Sequence, residues 1–378
     1  MKYLLLYFEE NYGLTVEKKI IDAVAVIANE NRYHPVCDFL NALQWDGTER
    51  IRFCLHRFLG SDTDDYTYEA LKLFLLGAIS RAFKPGCKFE VMLCLVGGQG
   101  AGKSSFFRLL AVNDDWFSDD LKKLDDENVY RKMQGHWIIE MSEMIATANA
   151  KSIEEIKSFL SRQKETYKIP YETHPADRKR QCVFGGSSNT LDFLPLDRTG
   201  NRRFVPVMVY PERAEVHILA DEQASRAYIN QMWAEAMEIY RSGNFRLRFS
   251  PAMNDYLKAH QKDFMPEDTK AGQILDYLER YSGSIVCSKQ LYKEALGHDY
   301  DEPKQWELRE INDIMNNAVT GWRAFSNPRY FPEPYRRQKG WERIRNDNEP
   351  DNSMDGFQEI PTEEMEQLGL PEEWLKQK

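Results

Sequence analysis

A glycine-rich run at residues 97–104, GGQGAGKS, has the residue types that hold a triphosphate. It matches GxxxxGK[ST] in full, follows the apolar run VMLCLV and opens SSFFRLLAV, which reads as a helix. Glycines let successive N–H groups face phosphate oxygens, and a helix N-terminus adds a positive dipole. The lysine would reach the β- and γ-phosphates, and the serine hydroxyl would coordinate Mg²⁺. The run predicts an ATP and Mg²⁺ site comprising Gly97, Gly98, Gln99, Gly100, Ala101, Gly102, Lys103, Ser104 and Ser105.

Acidic residues occur in a second apolar run, HWIIEMSEM at 136–144. Glu143 is predicted to polarise the attacking water and, with Ser104, to hold the metal. Ser142 then stands where the usual pattern has Asp, which weakens the case for hydrolysis. Glu140 lies three residues earlier, and strand alternation puts it on the opposite face unless the strand has ended there. Two acids that merely end a strand are the alternative.

Two further polar segments follow candidate strands. CVFGGSSNT at 182–190 ends in Asn189, which could contact the γ-phosphate and align water, although a turn-forming Asn would look the same. DRTGNRRF at 197–204 places Arg202 and Arg203 on a turn, where one could be offered to a neighbour's γ-phosphate. An ion pair with Asp197 is the alternative. The predicted catalytic residues are therefore Lys103, Glu143, Asn189, Arg202 and Arg203.

Strands that alternate with helices surround these motifs, which indicates a mostly parallel, helix-covered sheet. Before it, residues 14–85 read as mostly helical; after it come helical candidates at 252–262, 270–281, 288–296 and 304–317. The predicted fold is α/β, a P-loop NTPase core with an N-terminal helical domain and a C-terminal winged-helix-like module. The expected domains are 1–86 (helical), 87–248 (ATPase), 249–345 (winged-helix-like) and an acidic tail, 346–378.

Composition excludes several classes of protein. The chain has 378 residues, of which 42% are hydrophobic, so wholesale disorder is excluded. Its apolar runs fall well short of the roughly 20 residues of a membrane span, and MKYLLLYFEE lacks the features of a signal peptide. The six cysteines show no CxxC pair, so reduced thiols are expected. We expect a cytoplasmic protein with no membrane partner.

Basic residues and tyrosines are interleaved in the segment before the Asn189 strand, residues 151–182. Basic groups there would follow phosphates, and tyrosines could stack on bases. A solvated helix and turn is the alternative. The predicted DNA-contacting residues are Lys164, Tyr167, Lys168, Tyr171, Arg178, Lys179 and Arg180.

Taken in order, GGQGAGKS, GHWIIEMSEM, KSFLSRQKETYKIPY, FGGSSNT and DRTGNRRFVPV resemble the virulence-associated protein E family. NRYHPVCDFLNALQWDGTERI and the C-terminal TGWRAF and RRQKGWER segments extend the resemblance over roughly residues 14–345. These are phage- and island-encoded AAA+ ATPases related to superfamily 3 helicases. The resemblance implies an oligomeric ring, with a hexamer expected, and ATP sites between subunits. Lys103 and Ser104 match the Walker A motif, Glu143 the Walker B glutamate and Asn189 sensor 1, while Arg202 or Arg203 would be the arginine finger.

The resemblance further implies a role in replicating a mobile element's DNA, on single-stranded or forked DNA, with a primase or initiator as a possible partner. Longer relatives carry a primase-like region upstream, for which residues before 14 leave no room. The leading interpretation is an ATP-driven DNA motor, a ring-forming replicative helicase. An initiator or loader that uses ATP only as an assembly switch is the alternative, and a small-molecule kinase is a third.

The C-terminal module and the tail differ in charge: residues 321–345 are basic, and residues 346–378 are strongly acidic. Three helices followed by a basic, aromatic strand pair suit a winged helix that binds DNA or, as the alternative, docks a protein. The tail is either a competitor of DNA for the basic block or a solvated linker.

Overall fold

A computed structural model of the chain describes residues 2–121, 124, 129–142, 150–167, 176–194 and 201–344. The chain divides into two compact units, Met1–Glu267 and Asp268–Lys378. No helix in the described part of the chain combines the length and the apolar character needed to cross a membrane.

The first unit contains ten helices and seven strands among its described residues. In chain order they are α1 (Lys2–Tyr12), α2 (Glu17–Glu30), α3 (Pro35–Ala42), α4 (Ile51–Leu59), α5 (Asp65–Phe83), β1 (Met92–Val96), α6 (Lys103–Leu110), β2 (Phe117–Ser118), α7 (Val129–Met133), β3 (Ile138–Glu140), α8 (Ala150–Leu160), β4 (Lys164–Tyr167), β5 (Ala176–Lys179), β6 (Val183–Ser188), β7 (Phe204–Met208), α9 (Glu222–Ser242) and α10 (Pro251–His260).

Five of these strands form one parallel sheet in the order β2-β3-β6-β1-β7. Its central strand, MLCLV, is buried throughout because both faces are covered. Leu93 and Leu95 pack with α5, α6 and α9 on one face, and Met92, Cys94 and Val96 pack with α8 on the other. The mixed α/β fold with a parallel, helix-covered sheet is confirmed.

Helices α3, α4 and α5 share the sheet's core. Leu40 of α3, Leu55 of α4 and Phe74 of α5 lie in the same buried cluster as Leu93 and Phe107. The sequence suggested a separate helical domain over residues 1–86, and the structure differs because α5 is buried around most of its surface. A helix that is apolar on all sides needs cover on all sides, and the sheet provides part of it.

The boundary after the sheet also differs from the sequence-based position at 248/249. Leu257 of α10 lies in the core of the first unit, and the Gln261 side-chain amide donates to the carbonyl oxygens of Asn201 and Phe204 at 2.8 and 2.6 Å. The first unit therefore extends to Glu267. Ser250 and Pro251 are the N-cap and first residue of α10.

A small antiparallel hairpin, β4–β5, forms a separate two-stranded sheet in the first unit. It follows α8 directly and precedes β6. Its register pairs Lys164 with Lys179 and Thr166 with Asp177. Residues 168–175, between the two strands, lie outside the described residues.

The second unit contains three helices and five strands in its described residues. They are α11 (Thr269–Arg280), β8 (Ile285–Cys287), α12 (Ser288–Gln290, continued by a π turn, Leu291–Ala295), α13 (Gln305–Asn317), β9 (Trp322–Ala324), β10 (Arg329–Phe331), β11 (Arg336–Gln338) and β12 (Gly340–Arg343). β8, β12 and β9 form an antiparallel sheet in that order, and β10–β11 is a hairpin. Ile274, Leu291, Ile314 and Trp341 belong to its core. The acidic tail lies outside the described residues.

Two stacked tryptophans tie the helices of the first unit to its sheet. The rings of Trp137 and Trp233 lie 4.5 Å apart, and their indole N–H groups donate to Ala78 O and Leu110 O, each at 3.0 Å. Trp233→Ala should lower the free energy of unfolding by about 3–5 kcal/mol through the lost packing. Urea denaturation followed by circular dichroism measures this. Trp45→Ala, at a partly exposed ring, should cost under about 1 kcal/mol, and equal losses would contradict the assignment.

Candidate functional site

The glycine-rich loop, residues 97–102, connects β1 to α6 at the carboxyl edge of the sheet. Gly100 and Gly102 have φ values of 81°, a region that only glycine adopts at low cost. At Gly97 a Cβ atom would lie 2.5 Å from Val209 O, so no side chain fits there. The positions of these glycines are therefore dictated by the backbone path, which leads directly into the N-terminus of α6.

Lys103, the first residue of α6, is buried with its ammonium pointing back into the loop. Its Nζ donates to Gly97 O at 2.7 Å, Gly98 O at 2.8 Å and Asn189 Oδ1 at 2.9 Å. Burial lowers the pKa of this lysine, and the negative charge of Glu140 opposes that shift. The three acceptors satisfy all three donors of the ammonium group.

Glu140, the last residue of β3, lies beside the start of α6. Its Oε1 accepts hydrogen bonds from the hydroxyls of Ser104 at 2.8 Å and Ser187 at 2.5 Å, and the residue is 1% exposed. Burial raises the pKa of Glu140, partly opposed by the hydrogen bonds from Ser187 and then Ser104. A buried carboxylate next to a hydroxyl offers hard oxygen ligands of the type that Mg²⁺ prefers.

This position adds a residue to the metal site predicted from the sequence, which paired Ser104 with Glu143. Strand alternation put Glu140 on the opposite face unless the strand had ended there, and Ser104 contacts Glu140. The reason is that β3 ends at Glu140, in register with Gly185 of β6, so strict alternation no longer applies at this residue. Glu143 lies outside the described residues, and its role stays a prediction.

Asn189 comes directly after β6 and meets Lys103 from the neighbouring strand. β1, β3 and β6 are adjacent and parallel, so their carboxyl ends bring Lys103, Ser104, Glu140 and Asn189 together. Open parallel sheets place ligands at this edge. The structure thus unites residues that are up to 86 positions apart in the chain.

Arg202 and Arg203 lie at the opposite edge of the sheet. Both arginines come directly before β7, whose first residue, Phe204, is in register with Met92, the first residue of β1. Met92 N donates to Arg203 O at 2.7 Å, so the arginines lie beside the amino ends of β1 and β7. Their side chains contact Glu90: Arg202 Nη2 lies 3.1 Å from Oε1, and Arg203 Nε lies 3.5 Å from Oε2. Neither arginine is positioned to meet Lys103 of its own chain. Asp197, the alternative partner, lies outside the described residues.

The basic residues of the hairpin differ in exposure. Lys164 and Lys179 are exposed, and Lys164 forms an ion pair with Asp177. Hydrogen bonds from Lys164 and Thr166 hold the pKa of Asp177 below its ordinary value. Arg178 is half-buried. Tyr167 ends β4, and Lys168 and Tyr171 lie outside the described residues.

Arg180 has a structural position that the sequence analysis did not foresee. Its guanidinium is buried, where it forms an ion pair with Glu165 and donates to Phe159 O at 2.7 Å. It also lies over the rings of Phe159 and Phe184, at 4.5 and 5.1 Å from their centroids. Contact with a DNA phosphate would require this buried pair to open, so we leave Arg180 out of the DNA-contacting set.

In the second unit, arginines gather on the strands. Arg323 and Arg329 both pair with Glu342, at 2.9 and 2.7 Å. Hydrogen bonds from Arg323 and then Arg329 lower the pKa of Glu342. Tyr330 and Arg336 on the β10–β11 hairpin are largely exposed. This hairpin presents an aromatic and cationic surface.

Comparison with known proteins identifies the family. The family model for the virulence-associated protein E-like domain matches residues 40–266, more than half of the chain. The chain belongs to this family. The sequence resemblance is thereby confirmed.

Solved structures of the NrS-1 C-terminal region are similar to this virulence-associated protein E-like chain. The A form apo structure of that region has 14% identity and a TM-score of 0.49, and the apo structure of its residues 305–718 has 13% identity and a TM-score of 0.46. Both alignments cover 81% of this chain and 78% of the other. Among curated proteins, none matches the chain.

Four residues of this virulence-associated protein E-like domain were missed as site residues from the sequence: Glu140, Ser187, Glu90 and Ser161. Two had a usable signal. Glu140 is the acid closest to the end of the apolar run WII, and Ser187 belongs to the polar SSNT that ends its strand. The contact between Glu90 and Ser161 joins distant segments and leaves no local pattern.

The buried carboxylate of Glu140 predicts a pH-dependent stability cost. Because folding raises the pKa of Glu140, the folded state binds the proton more tightly than the unfolded state does. The loss of folding stability from the buried charge is therefore absent below the ordinary pKa and complete above the raised pKa. Glu140→Gln should therefore be more stable than the wild type at pH 8, with the difference shrinking toward pH 4.5 and below. Urea denaturation at several pH values measures the difference. Glu215→Gln, at a half-exposed carboxylate, should show no such trend; a constant difference for Glu140→Gln would contradict the account.

Proposed function

We propose that this protein is an ATP-driven DNA motor, a ring-forming replicative helicase of the superfamily 3 type that replicates the DNA of a phage or other mobile element. The observation that carries the proposal is the meeting of Lys103, Ser104, Glu140 and Asn189 at one edge of a parallel sheet. Membership of the virulence-associated protein E-like family supports it.

The glycine-rich loop and the N-terminus of α6 suit a triphosphate, which makes the fold a P-loop NTPase of the AAA+ type under this proposal. Loop N–H groups would bind the phosphates, and Lys103 would exchange its carbonyl partners for β- and γ-phosphate oxygens. Ser104 and Glu140 fit Mg²⁺ because both present oxygen and share one hydrogen bond. Mg²⁺ supplies charge that offsets the negative charge of the phosphates.

Two groups would then activate the water that attacks the γ-phosphate. Asn189 lies next to Lys103, where its side chain could orient a water toward the γ-phosphate. Glu143, three residues beyond Glu140, remains our proposed base for that water. Glu140 itself is engaged by two hydroxyls, which suits a metal-holding role better than proton abstraction.

The position of the arginines supports a ring. Arg202 and Arg203 lie at the amino edge of the sheet, whereas Lys103 lies at the carboxyl edge. An arginine that stabilises charge on the γ-phosphate would therefore have to come from a neighbouring subunit. Repetition of such a head-to-tail contact gives a ring when the rotation between subunits closes, and we propose a hexamer.

Two features support DNA as the polymer. The cross-strand neighbours Lys164 and Lys179 put two exposed lysines on the hairpin, of which Lys164 is paired with Asp177, and exposed lysines can follow the phosphates of a DNA strand. In the second unit the order α11, β8, α12, α13, β9, hairpin, β12 supports the proposed winged-helix-like module, in which the third helix could enter a DNA groove. The exposed Tyr330 and Arg336 would lie on its wing.

The alternative proposal is an initiator or loader that uses ATP as an assembly switch. Ser142 favours it, since that position commonly holds a second carboxylate next to the water-polarising acid. DNA-stimulated turnover with strand separation would identify a motor. Nucleotide-dependent assembly on DNA with negligible turnover would identify a switch.

ATP turnover by two variants, alone and mixed, tests the proposal. Lys103→Ala and Arg203→Ala should each lower DNA-stimulated turnover by about 10³-fold, because each removes charge stabilisation of the transferred phosphoryl group. Mixed in equal amounts, they should recover up to roughly a quarter of wild-type turnover, since some interfaces pair an intact loop with an intact arginine. Arg241→Ala, at a surface pair on α9, is the control. Absence of recovery would contradict an arginine supplied in trans, and a wild type without turnover would contradict the motor.

The hairpin is tested by the salt dependence of DNA binding. Lys164→Ala with Lys179→Ala should weaken binding to oligo-dT and reduce the slope of log K against log salt by about 1.4, or about 0.7 for each lost phosphate contact. Fluorescence anisotropy at several salt concentrations measures both. Lys258→Ala, an exposed lysine of α10, should leave both unchanged. An unaltered slope in the double variant would remove the hairpin from the DNA path.

A further inference from the structure

Glu90 connects the two arginines at the amino edge of the sheet. It lies two residues before β1, and its carboxylate is 18% exposed. One oxygen is 3.1 Å from Arg202 Nη2, and the other is 3.5 Å from Arg203 Nε. Arg202 remains 69% exposed while it makes this contact, so its guanidinium is oriented yet accessible to another molecule.

Ser161 joins this cluster to the hairpin. It lies between the end of α8 and the start of β4. Its Oγ is 3.0 Å from Glu90 Oε2, and it accepts a hydrogen bond from Arg203 Nε at 2.9 Å. The same hydroxyl is 2.9 Å from Lys157 O, so its one proton can go to either the carbonyl or the carboxylate.

Buried contacts hold the base of the hairpin to the end of α8, so Ser161 should move when the hairpin moves. Arg180, directly after β5, donates to Phe159 O and pairs with Glu165 of β4. Arg180 N also donates to Gln163 O at 2.9 Å. The end of α8, both strands and Ser161 are thus linked by buried contacts, and they should move together when the hairpin is displaced.

The electrostatics of Glu90 agree with a role for its ionised form. Partial burial acts to raise its pKa, but the Ser161 hydrogen bond and the charges of Arg203 and Arg202 outweigh it, and the pKa lies below the ordinary value. Glu90 therefore stays charged at neutral pH. The Glu90 carboxylate contacts both guanidinium groups, which restricts the rotamers of the Arg202 and Arg203 side chains.

We propose that Glu90 is a positioning residue for the arginine pair, and that Ser161 transmits displacement of the β4–β5 hairpin to that pair. The inference rests on the proposed function, because it assigns the hairpin to DNA and the arginines to a neighbour's nucleotide. It deepens that function by naming the contact through which DNA would change turnover at the adjacent subunit. Coupling of this kind is reciprocal, so occupancy of the neighbour's site should also change the affinity of the hairpin for DNA.

Hydrogen–deuterium exchange of the full chain tests the Ser161 contact without requiring turnover. In the wild type, oligo-dT should slow exchange within residues 164–179 and change exchange within 201–204 as well. Ser161→Ala should keep the first effect and lose the second. Ser242→Ala, which removes a hydroxyl at the end of α9, should behave as the wild type.

The outcomes separate the two proposals. Protection of the hairpin with no response at 201–204 in the wild type, or a response that persists in Ser161→Ala, overturns the inference and leaves DNA binding by the hairpin intact. If oligo-dT does not protect 164–179, the proposed DNA contact fails, and the inference fails with it.

Steady-state kinetics test Glu90. Glu90→Gln should lower DNA-stimulated kcat by about 10- to 100-fold, the scale of a small misplacement of a catalytic group. KM for ATP should not change, because an arginine that stabilises only the charge developing in the transition state contributes to kcat and not to KM. Glu90→Asp should recover part of the loss by keeping the charge, and Glu215→Gln should have no effect. A wild-type kcat in Glu90→Gln, or a loss that appears in KM as well, would show that Glu90 has only a structural role.

Discussion

Burial of two opposite charges at the carboxyl edge of the sheet is the constraint on which the candidate site depends. The ammonium of Lys103 and the carboxylate of Glu140 both lie out of water, and an unpaired buried charge costs several kcal/mol. The protein accommodates them with carbonyls from the glycine-rich loop, the amide of Asn189 and two serine hydroxyls. The partners come from the loop after β1, the start of α6 and the end of β6, so the charges are tolerated only when β1, β3 and β6 are in register.

That constraint explains why part of the site could be predicted from the sequence and part could not. GGQGAGKS has a fixed spacing because its glycines must follow one backbone path. The motif also identifies the apolar run directly before it as a strand of the sheet. The contact of Asn189 with Lys103 follows from parallel strands that end together. Glu140 could be recognised as the acid that ends the apolar run WII, but the face on which it lies could not be assigned, because that depends on the residue at which the short strand β3 ends.

The fold shows the same division between local and distant information. The sheet and the segments 252–262 and 304–317 could be predicted as elements from apolar spacing and capping residues. The unit to which each of those elements belongs could not be predicted, since it depends on which other elements cover the faces of that helix or strand. Arg180 is the clearest example. The basic run RKR is typical of an exposed segment, yet the guanidinium of its last residue is buried over the rings of Phe159 and Phe184. The deciding partner, Glu165, precedes it by 15 positions.

The sheet carries different chemistry at its two edges, and this has a mechanical consequence. The glycine-rich loop and Lys103 occupy the carboxyl edge and the arginine pair the amino edge, so under the proposed function each subunit would bind nucleotide at one edge and supply an arginine to its neighbour at the other. A rigid root to the hairpin matters in such an arrangement. Removing one partner of a buried pair such as Arg180 and Glu165 costs on the order of 3–5 kcal/mol, because the other charge is left buried and unpaired, so the pair opposes separation of the two strands. Under the proposed function, displacement of the hairpin would then be passed on to Ser161 and Glu90.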